Sequence, residues 1–307
     1  MLKKGDVVVG RTGSGAVRGR AEVGAAVGRT WEEMKRSWQS YLFVAPFMVI
    51  FFTFTVLPVI TSIFLSFTYY NILEPPQFIG WQNYINLIFG DDVFLIAVKN
   101  TLLLALITGP LGYILSFMFA WLINEFPKVL KTILVVVFYA PSLSGQVFYI
   151  WNILFAGDIY GYVNSILMKL NFIKSPILWL TTEQYIMPMT IIVVLWMSMG
   201  AGFLSFVAGV TNVDKNLYEA GYVDGIRNRW QELWFITLPY MKPQLLFGAI
   251  MAITQSFSIY EVAVGLAGNP SINYANHTVV THLVDYGTTR FEMGYASAIA
   301  TVLFAIM

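Results

Sequence analysis

The sequence predicts an all-α polytopic membrane bundle of about six transmembrane helices, and three observations carry that prediction. The chain is 57% hydrophobic and only 11% charged, less than half the roughly 25% charged residues of a soluble domain. Apolar runs near or above the ~20 residues needed to cross a bilayer recur at 41–66, 101–123, 132–155, 186–210 and 244–267, and a further one begins near Tyr295. Basic residues divide unevenly between the connecting segments: 1–40, 124–131 and 211–243 hold fourteen of the 18 Lys and Arg, and 67–100, 156–185 and 268–294 hold four. The positive-inside rule then puts the N-terminus and the 211–243 loop in the cytoplasm.

Composition also excludes. A net charge of +1 gives no field to recruit nucleic acid, and two histidines with no cysteine leave little for a metal site or a disulfide.

Residues 1–29, rich in Gly, Val and Arg, read as a disordered cytoplasmic tail. Gly13 and Gly15 lack a following Gly-Lys-Ser/Thr, so no phosphate loop is expected, and no apolar core before residue 41 marks a signal peptide. Thr30 and Glu33 have capping-box spacing, and Trp31, Met34 and Trp38 share a face. They predict an amphipathic interfacial helix over 30–40 leading into a membrane domain over 41–307. The last run ends at Met307 after about 13 residues, too few to cross, so a continuation of the natural chain is expected.

Within the spans, polar groups mark candidate pathway positions. Glu261 is the one charged residue between Pro243 and Pro270, and Thr254, Ser258 and Glu261 fall on one helical face with Gln255 beside them. They serve either as hydrogen-bonding groups for a polar solute or as a carboxylate snorkelling to the interface beside hydroxyls bonded to their own helix. Gln146 and Asn152 need partners inside a span, through pathway or packing. Tyr149 stands in an aromatic cluster with Phe148, Trp151, Tyr160 and Tyr162, a stacking surface for a passing solute or an interfacial belt. His277 and His282, five apart, do not have helical metal-pair spacing and read as solvated loop residues.

The 211–243 loop is the polar island of the chain. Val213, Leu217 and Ala220 keep a helical period before Gly225; Trp230, Leu233, Trp234 and Leu238 keep one after it. Two short amphipathic helices are expected, with Gly225 ending the first and Pro239 the second.

This loop resembles the "EAA" loop of permease subunits of binding-protein-dependent ABC importers. Glu219-Ala220-Gly221, Asp224-Gly225 and Ile236-Thr237-Leu238-Pro239 match its spacing, with Gly221 and Ile226 standing where alanines are usual. Phe78-Ile79-Gly80-Trp81-Gln82-Asn83-Tyr84, Phe94 and Asn100-Thr101 are similar to a segment of the sugar-transporting, maltose-type branch. So are the run from Pro141 through Trp151 to Asn164, Trp196 with Gly200 and Gly202, and Gly268-Asn269-Pro270, one glycine short of the usual motif. The resemblance implies a half-pathway for a sugar or oligosaccharide, working with a homologous second permease, two ATP-binding subunits and an external solute-binding protein within membrane lipid. ATP and Mg would belong to the partners, with no cofactor in this chain. It also implies that Leu217, Tyr218, Glu219, Ala220, Gly221, Tyr222, Asp224 and Gly225 form a coupling helix, with Glu219 orienting it. The alternative is an ion- or proton-coupled secondary transporter, toward which Glu261 alone leans.

Overall fold

The computed structural model describes residues 36–307. The tail and the Thr30–Glu33 capping box lie outside the described residues. Of the described residues, those up to Thr61 belong to one compact unit and those from Ser62 to Met307 to another.

Helix α1 (Trp38–Leu65) is one 28-residue element. Trp38 opens it, so the predicted interfacial helix does not end as a separate element at residue 40. None of its apolar window is buried within the chain, as expected of a surface made for hydrocarbon or for another protein. Pro58 sits in this helix just after a π-turn over Phe52–Val56, in which the Leu57 N–H reaches the Phe52 carbonyl. The wide turn displaces the carbonyl that a proline ring would otherwise strike, so the helix continues.

In the second unit a short antiparallel hairpin, β1 (Thr68–Tyr69) with β2 (Gln77–Phe78), is held by Asn83, whose Nδ2 donates to the Ser66 and Thr68 carbonyls at 2.8 and 2.9 Å. Asn83 belongs to α2 (Gln82–Phe89). Helix α3 (Asp92–Asn124) then runs 33 residues, roughly 50 Å at 1.5 Å per residue. Asp91 caps it by accepting from the Phe94 N–H at 2.9 Å. Next come α4 (Lys128–Leu143), α5 (Tyr149–Leu154), α6 (Tyr162–Lys169), α7 (Glu183–Trp196) and α8 (Ala201–Thr211). The 211–243 loop follows, as α9 (Lys215–Val223) and α10 (Arg229–Tyr240), and then α11 (Lys242–Phe257), α12 (Glu261–Ala267), α13 (Val279–Val284) and α14 (Met293–Ile306).

The core is the packing of α3, α8 and α11. Small residues let these helices approach closely, as membrane helices do without a hydrophobic force between them. A side chain begun at Gly202 would lie 3.5 Å from the Gly248 Cα, and the Phe206 ring fills the space a Cβ on Gly248 would need. Phe206 in turn meets Tyr113 and Phe117 edge-on at 5.4 and 5.7 Å.

Among the described residues three helices, α1, α3 and the α7–α8 pair (Glu183–Thr211), are long and apolar enough to cross a membrane. The pair α10–α11, bent by 83°, makes a fourth if taken as one span. The apolar runs 132–155 and 244–267 are therefore not the continuous helices that hydropathy predicts. The first stops at Leu143 and resumes at Tyr149, and the second is interrupted at Ser258–Tyr260. Hydropathy averages over a whole span and does not register a backbone break of three to five residues, least of all one that keeps apolar residues such as Val147, Phe148 and Ile259. Nor does Pro239 end its helix: a second π-turn, Leu233–Thr237, precedes it as one precedes Pro58, and the chain turns at Met241 instead.

Candidate functional site

Three interruptions meet at one place. After α4 the chain unwinds at Ser144, between α7 and α8 it is non-helical around Gly200 (φ −98°, ψ −141°), and between α11 and α12 it breaks at Ser258–Tyr260. Non-helical backbone at membrane depth is tolerated where it is buried in protein or lines a cavity. Here two of the breaks, around Gly200 and at Ser258–Tyr260, line a cavity of ≈ 470 Å³ walled by α3, α8 and α11, and α4 reaches it through Ser142 in its last turn. Cross-bonds fix the breaks to one another. Ser142 Oγ donates to the Met199 carbonyl at 2.7 Å and Ser116 Oγ to the Ser198 carbonyl at 3.2 Å. The Gln255 amide and the Ser142 hydroxyl close on Gly200, and Glu261 Oε2 faces Gly145.

Of the sequence candidates, Gln255, Ser258 and Glu261 line this cavity and Thr254 does not. The helical face predicted for Thr254, Ser258 and Glu261 is not a single face, because α11 ends at Phe257 and Glu261 opens a new helix. Both hydroxyls bond to their own helix, Thr254 to the Ile250 carbonyl and Ser258 to the Thr254 carbonyl, at 2.9 and 2.8 Å. Gln146, Tyr149 and Asn152 also lie off the cavity. Asn152 Nδ2 instead joins α5 to α12 through the Gly265 carbonyl at 2.9 Å, and Tyr149 packs on Phe148. Sequence reading missed Ser116, Ser142 and Ser198. The signal was there as Ser-Leu-Ser-Gly at 142–145 and Ser-Met-Gly at 198–200, small and polar residues inside apolar runs.

The second feature is the 211–243 segment, at the other end of α3 from Asp91. Here α9 ends in a Schellman motif: the Ile226 N–H reaches the Gly221 carbonyl at 2.9 Å and the Gly225 N–H the Tyr222 carbonyl at 3.2 Å, with Gly225 at φ +95°. Tyr218 bonds Thr237 at 2.9 Å, which fastens α9 to α10. The anchoring carboxylate inside this chain is Glu232, not Glu219. Glu232, 3% exposed, accepts from the Tyr222 hydroxyl and from Arg229 Nη1, both at 2.8 Å, and Arg229 Nη2 carries the tie on to Glu125 at the end of α3 at 2.6 Å. Trp121 and Trp230 pack beside it at 5.5 Å. Glu219 is exposed and makes no side-chain bond among the described residues; Leu217, Tyr222 and Val223 are exposed on the same short helix.

Gly221 and Ile226 explain each other. A Cβ at Gly221 would meet Ile226 Cδ1 at 3.1 Å and Ile236 Cδ1 at 2.8 Å, so the small residue makes room for the large one. In a double-mutant cycle, Gly221→Ala should therefore be more favourable in the Ile226→Ala background than alone by about 1 kcal/mol. Thermal midpoints of the four proteins in detergent measure that coupling, and strict additivity would refute it.

At the Asp91 end lies a polar cluster that the sequence reading placed in solvent. His277 and His282 are 4% and 2% exposed. Asp91 accepts from His282 Nε2 and from Tyr295 at 2.9 Å, and His282 Nδ1 accepts from His277 Nε2 at 3.2 Å, the tautomers that this chain of bonds requires. Asn100 Nδ2 donates to the His277 carbonyl at 3.1 Å, a pairing across the sequence that no local pattern announces. Burial, with repulsion from His282, pushes His277 down to about 4. A depressed histidine stabilises the fold while neutral, so stability should be full above about pH 6.5 and fall as pH drops through about 4. The thermal midpoint in detergent should decline over that window in the wild type and decline less in His277→Gln.

Comparison with known proteins adds to this geometry. The model of the family described as binding-protein-dependent transport system inner membrane component matches residues 103–307. The probable ABC transporter permease protein YesP of Bacillus subtilis is 31% identical, over 89% of this chain and 88% of that protein. The arabinooligosaccharides transport system permease protein AraP of the same organism is 33% identical, over 87% and 84%. Among solved structures, a bacterial ABC transporter involved in import of the acidic polysaccharide alginate superposes with a TM-score of 0.72 at 23% identity, covering 91% of this chain and 94% of that one. The match supports a helical permease fold in which the short β1–β2 hairpin is a minor element.

Proposed function

The chain belongs to the family of binding-protein-dependent transport system inner membrane components, and on that premise we propose that it is the permease subunit of an ATP-driven importer for a sugar or oligosaccharide. The observation that carries the reading is the opening of two helix breaks, with the last turn of α4 beside them, onto one hydroxyl-rich cavity, in a chain that also carries an exposed helix with the EAA spacing. Relatives named for arabinooligosaccharide and lactose transport support a sugar as the solute.

Leu217, Tyr218, Glu219, Ala220, Gly221, Tyr222, Asp224 and Gly225 would form the contact with separate ATP-binding subunits, which hold ATP and Mg and hydrolyse the nucleotide. The exposed Leu217, Tyr222 and Val223 would fill a groove and the unpaired Glu219 would bond there. A homologous second permease would complete the pathway and a solute-binding protein would deliver to it. The 211–243 segment would face the cytoplasm, as its basic residues favour.

Movement of that segment has a physical route to the cavity. Helix α9 is fastened to α10 through Tyr218 and Tyr222, α10 to the end of α3 through Arg229, and α10 leads at an 83° bend into α11, whose broken end lines the cavity. Closure of the ATPases would thus tilt α3 and α11 together and turn the cavity from one side to the other.

Purification from native membranes without crosslinking, followed by mass spectrometry, tests this. An ATP-binding protein and a second permease should accompany the chain, and the ATPase should be lost on Glu219→Ala combined with Gly225→Pro. A chain that stays alone and moves solute without ATP would overturn the reading in favour of an ion-coupled carrier.

A further inference from the structure

The cavity has a polarity as well as a size. Six aliphatic hydroxyls line it, from Thr108, Ser116, Ser142, Ser198, Ser256 and Ser258, beside the phenols of Tyr113 and Tyr260 and the amide of Gln255. Each of the six aliphatic hydroxyls has already given its proton to a backbone carbonyl: Leu104, Ser198, Met199, Leu195, Ile253 and Thr254 accept at 2.8, 3.2, 2.7, 2.7, 2.8 and 2.8 Å in that order. A carbonyl oxygen can only accept, so the direction of every one of these bonds is fixed. What the six side chains still offer is lone pairs. The one charged group among the lining residues is Glu261, an acceptor as well and negative. No Lys, Arg or His lines the cavity to balance it.

We propose that this cavity selects solutes rich in hydrogen-bond donors and rejects anions, with Glu261 as the specificity-determining residue. The inference rests on the sugar-importer reading and narrows it: the solute is a neutral sugar, whose hydroxyls donate, or one bearing an ammonium group. A uronate, phosphate or sulfonate brings a charge like that of Glu261, and the side-chain donors left to meet it, the Gln255 amide and the Tyr113 and Tyr260 phenols, are all neutral. At a separation of about 6 Å in a medium of effective dielectric near 20, one like charge lowers occupancy on the order of a hundredfold. An ammonium gains by a comparable factor. Buried polar groups that fail to find partners add to the discrimination against anions.

Two measurements on the assembled complex in lipid test it. The chain contains no cysteine, so Ser258→Cys, and separately Ser142→Cys, places a single thiol on this subunit at the cavity wall. Its rates of modification by a cationic and an anionic methanethiosulfonate of similar size are read by the mass of this chain and normalised to a free thiol. The cationic reagent should be favoured by about tenfold or more, and adding Glu261→Gln should bring the ratio near one. A ratio near one before that change, a ratio unmoved by it, or failure of both thiols to react overturns the proposal. Uptake is then measured with a panel of neutral pentose and hexose oligosaccharides and their C6-oxidised uronic counterparts, with the solute-binding protein and ATP present. Neutral sugars should enter, and uronic ones should enter at least tenfold more slowly in the wild type, with the gap reduced in Glu261→Gln. Equal uptake of both series overturns the charge selection while leaving the importer reading standing. Absence of uptake of every sugar overturns the sugar reading itself, and the reagent ratio still reports the sign of the field.

Discussion

Replacing Gly225 by proline should abolish ATP-driven uptake while the chain still inserts into the membrane. Gly225 sits at φ +95°, whereas a proline ring locks φ near −65° and removes the N–H that now reaches the Tyr222 carbonyl. The residue before it, Asp224, is helical (φ −75°, ψ 0°) and would be pushed toward an extended conformation. The two capping bonds of α9 would go together, at a cost of about 3 kcal/mol or more, and the helix carrying Leu217, Glu219 and Tyr222 would lose its orientation. Uptake in membrane vesicles should fall by about a hundredfold, with expression and protease protection of the loops unchanged. Gly225→Asn, which tolerates a left-handed backbone, should retain most of the activity. Wild-type uptake by the proline variant would remove the segment from the transport cycle.

The second large effect is expected at Glu232. Its carboxylate is almost wholly enclosed and holds both Tyr222 and Arg229. Glu232→Ala releases α9 from α10 at that point and frees Arg229 from one of its two partners. Arg229 is 59% exposed and keeps Glu125, so water takes up the stranded charge, and the cost should be about 2 kcal/mol, less than for a fully buried pair. The thermal midpoint in detergent should drop by roughly 2–4 °C and coupled uptake should fall with it. Glu125→Ala, which breaks a pair exposed on both sides, should cost at most about 1 kcal/mol. The reverse order of the two effects would mean that Glu232 is not the internal anchor.

These expectations also separate two carboxylates that the sequence could not rank. Glu219 stands in the motif and Glu232 does not, yet Glu232 makes the bonds inside this chain and Glu219 points away from it. The motif residue is thus free for a partner surface, and the residue outside the motif holds the helix that presents it. That division of labour depends on which face of α9 packs on α10.

The sequence by itself determined the membrane class, the number of apolar runs, the polar 211–243 segment and the turn at Gly225. Each of these follows from local chemistry: transfer of apolar side chains out of water, and the backbone freedom of a glycine. Tertiary structure alone decided where the helices break and which hydroxyls share a cavity. A break at Ser144 or Ser258 is stable only because another helix supplies the facing wall, and hydropathy sums side chains without regard to neighbours. It also decided that His277 and His282 are buried. Their partners, Asn100 and Asp91, lie almost two hundred residues earlier in the chain, and no short-range pattern carries that distance.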